Sequence, residues 1–306
     1  MARRSVLSGL SAMAVVAVTG CMGGAPERRR IRIATGSRTA VYFAVGTALA
    51  AIIEQELPET DAEAMVTAAS AENVQLIVDN EAEIGFTQSD ILVAGATPDP
   101  RIAALARVYD DLLHLVVRND GPIKSLDHLR GRKVSVGARG SGTGVTVRRL
   151  LEVAGLSGTQ LLTPVELNLD DSLKALSTGE IDAFFFSGGL PVSGIKQLAG
   201  KRIVDLSRWV TKMREKYSDV YVVRDVPASA YQLDPVATIA VPNFLVVPRD
   251  MADDLAFDLA RMLLERRDVL AQAHPAAENL DIRSAVATLP VPLHPGAAEY
   301  FKSVKP

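Results

Sequence analysis

Apolar and polar positions switch between two periods along most of this chain, and the switches mark its elements. Ile31–Thr35 reads as a short strand ending in a turn. Val45, Leu49, Ile52, Ile53 and Leu57 then recur on one face, which predicts a helix over 43–57. A strand follows at Ala62–Ala68, then a helix opened by Ser70 with Val74, Ile77 and Val78 inward, then a strand at Glu83–Gln88. Ile102–Tyr109 and Leu113–Arg118 read as two buried strands. "SLDHLRGRKVSVGA" is a short helix, a turn and a strand, and "DDSLKALSTGEIDAFFFSGG" repeats helix, glycine turn and strand. Thr238–Asp250 is strand-like, and residues 251–273 predict one long amphipathic helix with Leu255, Leu259, Met262 and Leu263 on its apolar face. This alternation argues for α/β lobes with mostly parallel sheets.

The first residues have another pattern. Arg3 and Arg4 precede an apolar stretch, Leu7–Val18, and then Val18-Thr19-Gly20-Cys21. That order resembles a bacterial lipoprotein signal, so 1–20 is expected to be removed and Cys21 lipidated. "RRSVL" also resembles a twin-arginine export signal. Residues 21–30 read as a polar tether, and "ERRR" (Glu27–Arg30) as a solvated basic patch or one attracted to anionic headgroups. The expected location is the extracytoplasmic face of the cell membrane. No later stretch reaches about 18 apolar residues free of charge, the length of a membrane span.

Composition then narrows the function. Cys21 is the only cysteine, so an internal disulfide is impossible and stability rests on the core. With 48% hydrophobic residues that core is ample. A mature part of about 285 residues suggests two lobes. The formal charge of −3 becomes −5 once Arg3 and Arg4 leave with the signal, which argues against nucleic acid as a partner.

Catalytic and metal chemistry find little support. His114, His128, His274 and His294 form no HExxH or other short ligand spacing, so no metal site and no cofactor are expected. There is no GxSxG elbow. The acidic pairs Asp110-Asp111, Asp170-Asp171 and Asp253-Asp254 are neighbours in sequence, do not face one another, and read as solvated faces or helix starts. The chain is not expected to be an enzyme.

The glycine loop "VGARGSGTG" between a strand and a helix is a natural anion cradle. A P-loop would require lysine where Thr143 stands, and a dinucleotide turn would require glycine at Val145. Both nucleotide readings fail. What remains is Ser141, Thr143 and free N–H groups suited to a carboxylate, or a plain strand-to-helix turn. "ATGSRTAVYFAVG" is a second such turn, and "GFTQSD" and "FFFSGG" end two more strands with small polar residues. Ligands of open α/β sheets bind beyond strand C-termini, so four polar strand ends suggest one cleft.

"IATGSRTAVYFAVGTALAAII", "GFTQSDI", "SLDHLRGRKVSVGARGSGT", "EIDAFFFSGG", "TIAVPNFLVVPRD" and "LPVPLHPGAAEYF" resemble, in order, the motifs of the TAXI family of substrate-binding receptors for TRAP transporters. The resemblance runs from Ile31 to Phe301. It implies a two-lobed periplasmic-binding-protein fold with a small carboxylate between the lobes, such as a glutamate-like amino acid or a dicarboxylate. It implies a membrane permease as partner, driven by an ion gradient. A ligand-sensing lipoprotein that signals to a membrane histidine kinase is the alternative. Carried over residue by residue, the family roles place Thr39 and Tyr42 in the first lobe's wall, Gln88 and Ser89 at the next strand end, and Ser141, Gly142 and Thr143 on the carboxylate. Gly188 and Gly189 would admit the ligand close to backbone. Arg38 and Arg139 stand where the family has other residues; each could pair bidentately with a carboxylate or point to solvent. The expected lobes are 31–118 with 236–306, and 119–235, with crossovers near Val116–Asn119 and Pro235–Ala240.

Overall fold

A computed structural model describes residues 28–93, 98–158 and 161–304. Cys21 and the signal segment therefore lie outside the described residues. Along the chain run β1 (Arg29–Ala34), α1 (Val41–Glu56), β2 (Thr60–Met65), α2 (Ser70–Val78), β3 (Ile84–Gln88), α3 (Ser89–Leu92), β4 (Ile102–Arg118), β5 (Lys133–Ser135), α4 (Gly142–Val153), β6 (Thr163–Val165), α5 (Leu169–Thr178), β7 (Ala183–Gly188), α6 (Ser193–Gln197), β8 (Lys201–Ile203), α7 (Val210–Lys216), β9 (Val222–Val226), α8 (Ala228–Tyr231), β10 (Val236–Pro248), α9 (Asp253–Glu265), α10 (Arg267–Ala273), α11 (Ile282–Ala285) and α12 (Pro295–Ser303).

One sheet threads both lobes in the order β2-β1-β3-β10-β4-β7-β5-β6, with β8 on β4 and β9 on β10. It is parallel at its two ends: β1 pairs with β2 and β3, and β5 with β6 and β7. The centre is antiparallel, because β10 runs against both β3 and β4, and β4 runs against β7. The expectation of mostly parallel sheets thus holds for the outer strands of each lobe and fails at the connection.

Period-two alternation along β4 and β10 feeds a core on each face of the sheet. In the first lobe, Leu105, Leu245 and Val247 pack with Leu49 and Ile53 of α1 and with α9, α10 and α12. Their neighbours Ala104, Phe244 and Val246 pack with Ile77 of α2. In the second lobe Leu113, Leu115 and Val117 pack with α4 and α7, while Leu112 and Val116 pack with α5, α6 and α8.

The chain passes between the lobes inside two strands. On β4 the core changes between Tyr109 and Leu112, and on β10 between Val241 and Phe244. The sequence suggested switches nearer 116–119 and 235–240, at the strand ends. It also divided β4 into two strands around Asp110-Asp111; in the fold the ladder continues through them, Asp111 opposite Val241 and Asp110 opposite Pro242. The expected helix over 251–273 breaks at Arg266, whose backbone leaves helical geometry (φ −105°, ψ 23°) and whose guanidinium reaches Glu56 of α1 at 2.8 Å. The tether ends earlier than expected. Arg29 and Arg30 already belong to β1, and the basic patch pairs with β2 acids: Arg28–Asp61 at 3.0 Å and Arg30–Glu63 at 2.5 Å. Among the described residues no helix is long and apolar enough to cross a membrane.

Candidate functional site

A cavity of about 360 Å³ lies between the lobes. The six outer parallel strands β1, β2, β3, β5, β6 and β7 send their C-terminal ends or the following turns to its wall: Gly36 and Ser37, Val66 and Thr67, Gln88, Gly137, Leu167, and Ser187 with Gly188. Each α/β unit then turns into a helix, so helix N-termini converge on the same space. The starts of α1 (Val41, Tyr42), α2 (Ser70), α4 (Gly142, Thr143) and α5 (Leu169) all line it. Each such end carries roughly half a positive charge and N–H groups without intrahelical acceptors. Among the described residues no Lys, Arg or His lines the cavity, and Asp111 is its one ionisable acid.

The loop before α4 is shaped by two glycines at positive φ, Gly137 (91°) and Gly140 (77°). Ser141 caps the helix: its Oγ accepts from the Gly144 N–H at 3.1 Å and donates to the Ala138 carbonyl at 2.7 Å. The hydroxyl expected to hold a carboxylate is therefore committed to the loop, and the donors left are the amides of Gly142 and Thr143. Thr143 Oγ1 accepts from the Ser187 N–H at 3.0 Å, which ties α4 to β7. Asn168 caps α5 in the same manner, accepting from the Asp171 N–H at 2.9 Å.

Gln88 joins the lobes across the cavity wall. Its Nε2 donates to Asp111 Oδ2 at 2.9 Å and to Ser187 Oγ at 2.6 Å. Gly142 packs so closely on it that a Cβ there would lie 2.1 Å from Gln88 Oε1 and 2.8 Å from Ser70 Oγ. The Tyr42 ring stacks on Phe86 at 5.1 Å, and its hydroxyl donates to Asn243 Oδ1. Burial above all, and then the Asp111 carboxylate, hold the phenols of Tyr42 and Tyr109 neutral, well above their usual range. Burial pushes Asp111 up to about 7, against the pull of its bond from Gln88.

Six of the residues expected at the site line the cavity: Tyr42, Gln88, Ser141, Gly142, Thr143 and Gly188. Four do not. Arg38 lies over the Phe43 ring at 5.2 Å, packing on α1. Thr39 donates to Asp170 at 3.1 Å, bridging the lobes at the rim. Ser89 starts α3 and faces a separate groove with Arg107 and Arg224. Gly189 admits another side chain: a Cβ there would sit 2.8 Å from Ala276 Cβ and 3.2 Å from the Tyr109 ring. Arg139, the other arginine considered for a carboxylate, pairs with Glu166 at 2.9 Å and is 89% exposed.

Sequence reading missed Asp111, Tyr109, Ser70 and Ser187. Asp110-Asp111 was read as a solvated acidic pair, and strand alternation splits it. Asp110 faces out to Arg107 at 2.5 Å and Arg224 at 3.2 Å, whereas Asp111 is only 4% exposed. The signal was an acid interrupting the apolar run of β4. Behind the cavity Asp90 forms a second buried link between lobes, accepting from Thr146 at 2.8 Å and Tyr221 at 3.0 Å, with Arg149 at 3.5 Å. His114 is a core residue. Its ring bonds the Phe186 carbonyl and the Tyr231 hydroxyl, and burial lowers it to about 4, so it stays neutral. Among the described residues no cluster of three His, Cys, Asp or Glu side chains is placed to hold a metal ion.

Solved structures share this architecture. The periplasmic aliphatic sulphonate binding protein SsuA from Escherichia coli is 18% identical over 91% of this chain and 84% of its own, with a TM-score of 0.51. A Xanthomonas citri protein solved with ATP is 13% identical over 90% of this chain and 99% of its own, with a TM-score of 0.55. The substrate binding protein of an amino acid ABC transporter is 13% identical over 80% of this chain and 99% of its own, with a TM-score of 0.50. At such identities the likeness shows the fold, a two-lobed periplasmic-binding-protein architecture. The profile of one sequence family matches residues 33–304, nearly all of that fold, and the chain belongs to this NMT1-like family.

Proposed function

We propose that this protein is an extracytoplasmic solute receptor that captures a small carboxylate between its lobes and presents it to a TRAP-type permease driven by an ion gradient. The observation that carries this reading is the convergence of four helix N-termini on one interlobe cavity that, among the described residues, no lysine or arginine lines. Such a site binds an anion through backbone N–H groups and aligned dipoles, so it requires no cationic side chain. The cavity volume is at the small end of the roughly 300–1,000 Å³ range for small-molecule sites. Family membership and two similar structures named for sulphonate and amino-acid-transporter substrate binding support the same class. In this reading the protein is exported, lipidated at Cys21, and held at the membrane beside its permease.

Native mass spectrometry of the purified receptor is expected to reveal a co-purified small carboxylate. Proteoliposomes holding the permease encoded beside it should take up that compound only with receptor and a sodium or proton gradient. Uptake that follows ATP would refute the TRAP assignment. Absence of [³H]palmitate labelling in the wild type, or its persistence in Cys21→Ala, would refute the anchor.

A further inference from the structure

The carboxylate reading accounts for one pole of the cavity and leaves Asp111 unexplained. Among the described residues Asp111 is the single ionisable acid on the wall, which holds no Lys, Arg or His. Its Oδ2 accepts from Gln88, while its Oδ1 is buried outside full hydrogen-bond geometry, with only the neutral Asn243 amide, whose Nδ2 is likewise unpartnered, beside it. The hydroxyl of Tyr109, also on the wall, is buried and unpartnered in the same way. A buried carboxylate with a free oxygen is unfavourable unless an opposite charge meets it. Among the described residues no cationic side chain lines the cavity to do so, so the compensation comes from a proton while the cavity is empty, or from a cationic group on the ligand.

The placement fits one molecule with two poles. The Gln88 amide lies between Asp111 and the start of α4, with Nε2 on Asp111 and Oε1 against Gly142. Asp111 and the start of α4 thus flank the same side-chain amide, one amide plus a contact on each side, a span that the two charged ends of an α-amino acid with their own contacts can bridge. Beyond them Val41, Val66, Leu167, Leu169 and Phe186 make the remaining wall largely apolar.

Accepting the receptor reading above, we propose that Asp111 binds a ligand ammonium, with the Tyr109 hydroxyl as second acceptor, and that the ligand is a zwitterionic amino acid with an uncharged side chain. Its carboxylate lies at the N-termini of α4 and neighbouring helices. A dicarboxylate would set a second negative charge toward Asp111 with no cation to offset it.

The test is calorimetry on the purified full chain with each neutral L-amino acid, L-glutamate, the deaminated acid of the same side chain for any that binds, succinate and 2-oxoglutarate. At least one neutral amino acid should bind, and its deaminated partner should bind roughly thirtyfold more weakly or worse, the scale of a lost buried charge-assisted bond. Asp111→Asn should weaken the amino acid by a similar factor and narrow the gap to its deaminated partner. Equal binding of the deaminated acid, tighter binding of succinate or 2-oxoglutarate, or unchanged affinity in Asp111→Asn would overturn the role of Asp111 and leave the receptor reading intact. If no amino acid, deaminated acid or dicarboxylate binds the wild type, the small-carboxylate reading itself falls, and this inference with it. The comparison of amino acid with deaminated acid is made on the wild type, so the test stands even where Asp111→Asn folds poorly.

Discussion

Gly142→Ala probes how the lobes meet. Gly142 begins α4 in the second lobe, and the atoms nearest its missing Cβ belong to the first: Gln88 Oε1 at 2.1 Å, Gln88 Cδ at 2.7 Å and Ser70 Oγ at 2.8 Å. Gln88 cannot move aside freely, because its Nε2 is held by Asp111 at 2.9 Å and Ser187 at 2.6 Å. Overpacking of this kind costs about 1–3 kcal/mol. The clash exists only when the lobes are together, so the penalty falls on the closed form, which under the proposed function is the one that holds ligand. The separated lobes gain from alanine, which favours helix over glycine by up to about 1 kcal/mol. Affinity for the co-purified ligand should therefore fall roughly 5- to 150-fold while the unliganded melting temperature holds or rises. Gly36→Ala is the comparison at another point of the cavity wall, since its new methyl would meet no protein atom nearer than 3.5 Å and so reports a methyl on the wall without the clash between lobes. Calorimetry with thermal melts of both variants decides the matter. Gly142→Ala binding within twofold of the wild type, with the fold intact, would refute the claim that Gly142 and Gln88 close the cavity.

Removing ligand should expose an acid-stable protein. Asp111 rises from 3.8 to about 7 on folding, so between those values the native state keeps a proton the unfolded chain has lost, and stability falls as pH rises, by up to about 4 kcal/mol. Asp90, Asp110, Tyr42 and Tyr109 surround it, and burial raises Asp90 in the same direction, so urea melts of Asp111→Asn against wild type from pH 4 to 8 isolate its share. A slope equal in the two proteins would count against it. Asp90→Ala strips the partner from Arg149, itself only 13% exposed, and should lose about 3–5 kcal/mol in urea unfolding. A loss below 1 kcal/mol would show that this link carries little. Arg38→Ala and Arg139→Ala should leave ligand affinity within threefold, since neither side chain lines the cavity; a tenfold loss in calorimetry would return that arginine to the site.

The architecture was readable because alternation and helical spacing are local properties of sequence. α1, α2 and β3 fall within two residues of their expected bounds. So was the glycine loop, since Gly137 and Gly140 do adopt the left-handed backbone such a turn requires. What stayed hidden depends on partners far along the chain. Thr39 is drawn to Asp170 and Arg139 to Glu166, and no spacing announces either pairing. Asp111 was hidden because an acid beside an acid reads as surface, until the pleat of β4 sends one outward and one in. Neither Arg38 nor Arg139 lines the cavity, because each side chain finds its partner elsewhere, on the Phe43 ring and on Glu166.

β4 and β10 carry one last consequence. The only crossings between lobes within the described residues are two antiparallel strands, bonded to each other through the crossing, with bulges near Asn243 and Leu245. A joint of this kind bends as a leaf spring does, by shared twist of a ribbon, and has no loose link to swivel on. Hydrogen exchange should then find the moving joint among the slowest parts of the molecule, and the rims that part on opening among the fastest. Asp111 sits at the midpoint of that spring, opposite Val241, so a ligand that met it as proposed would act where the lobes bend.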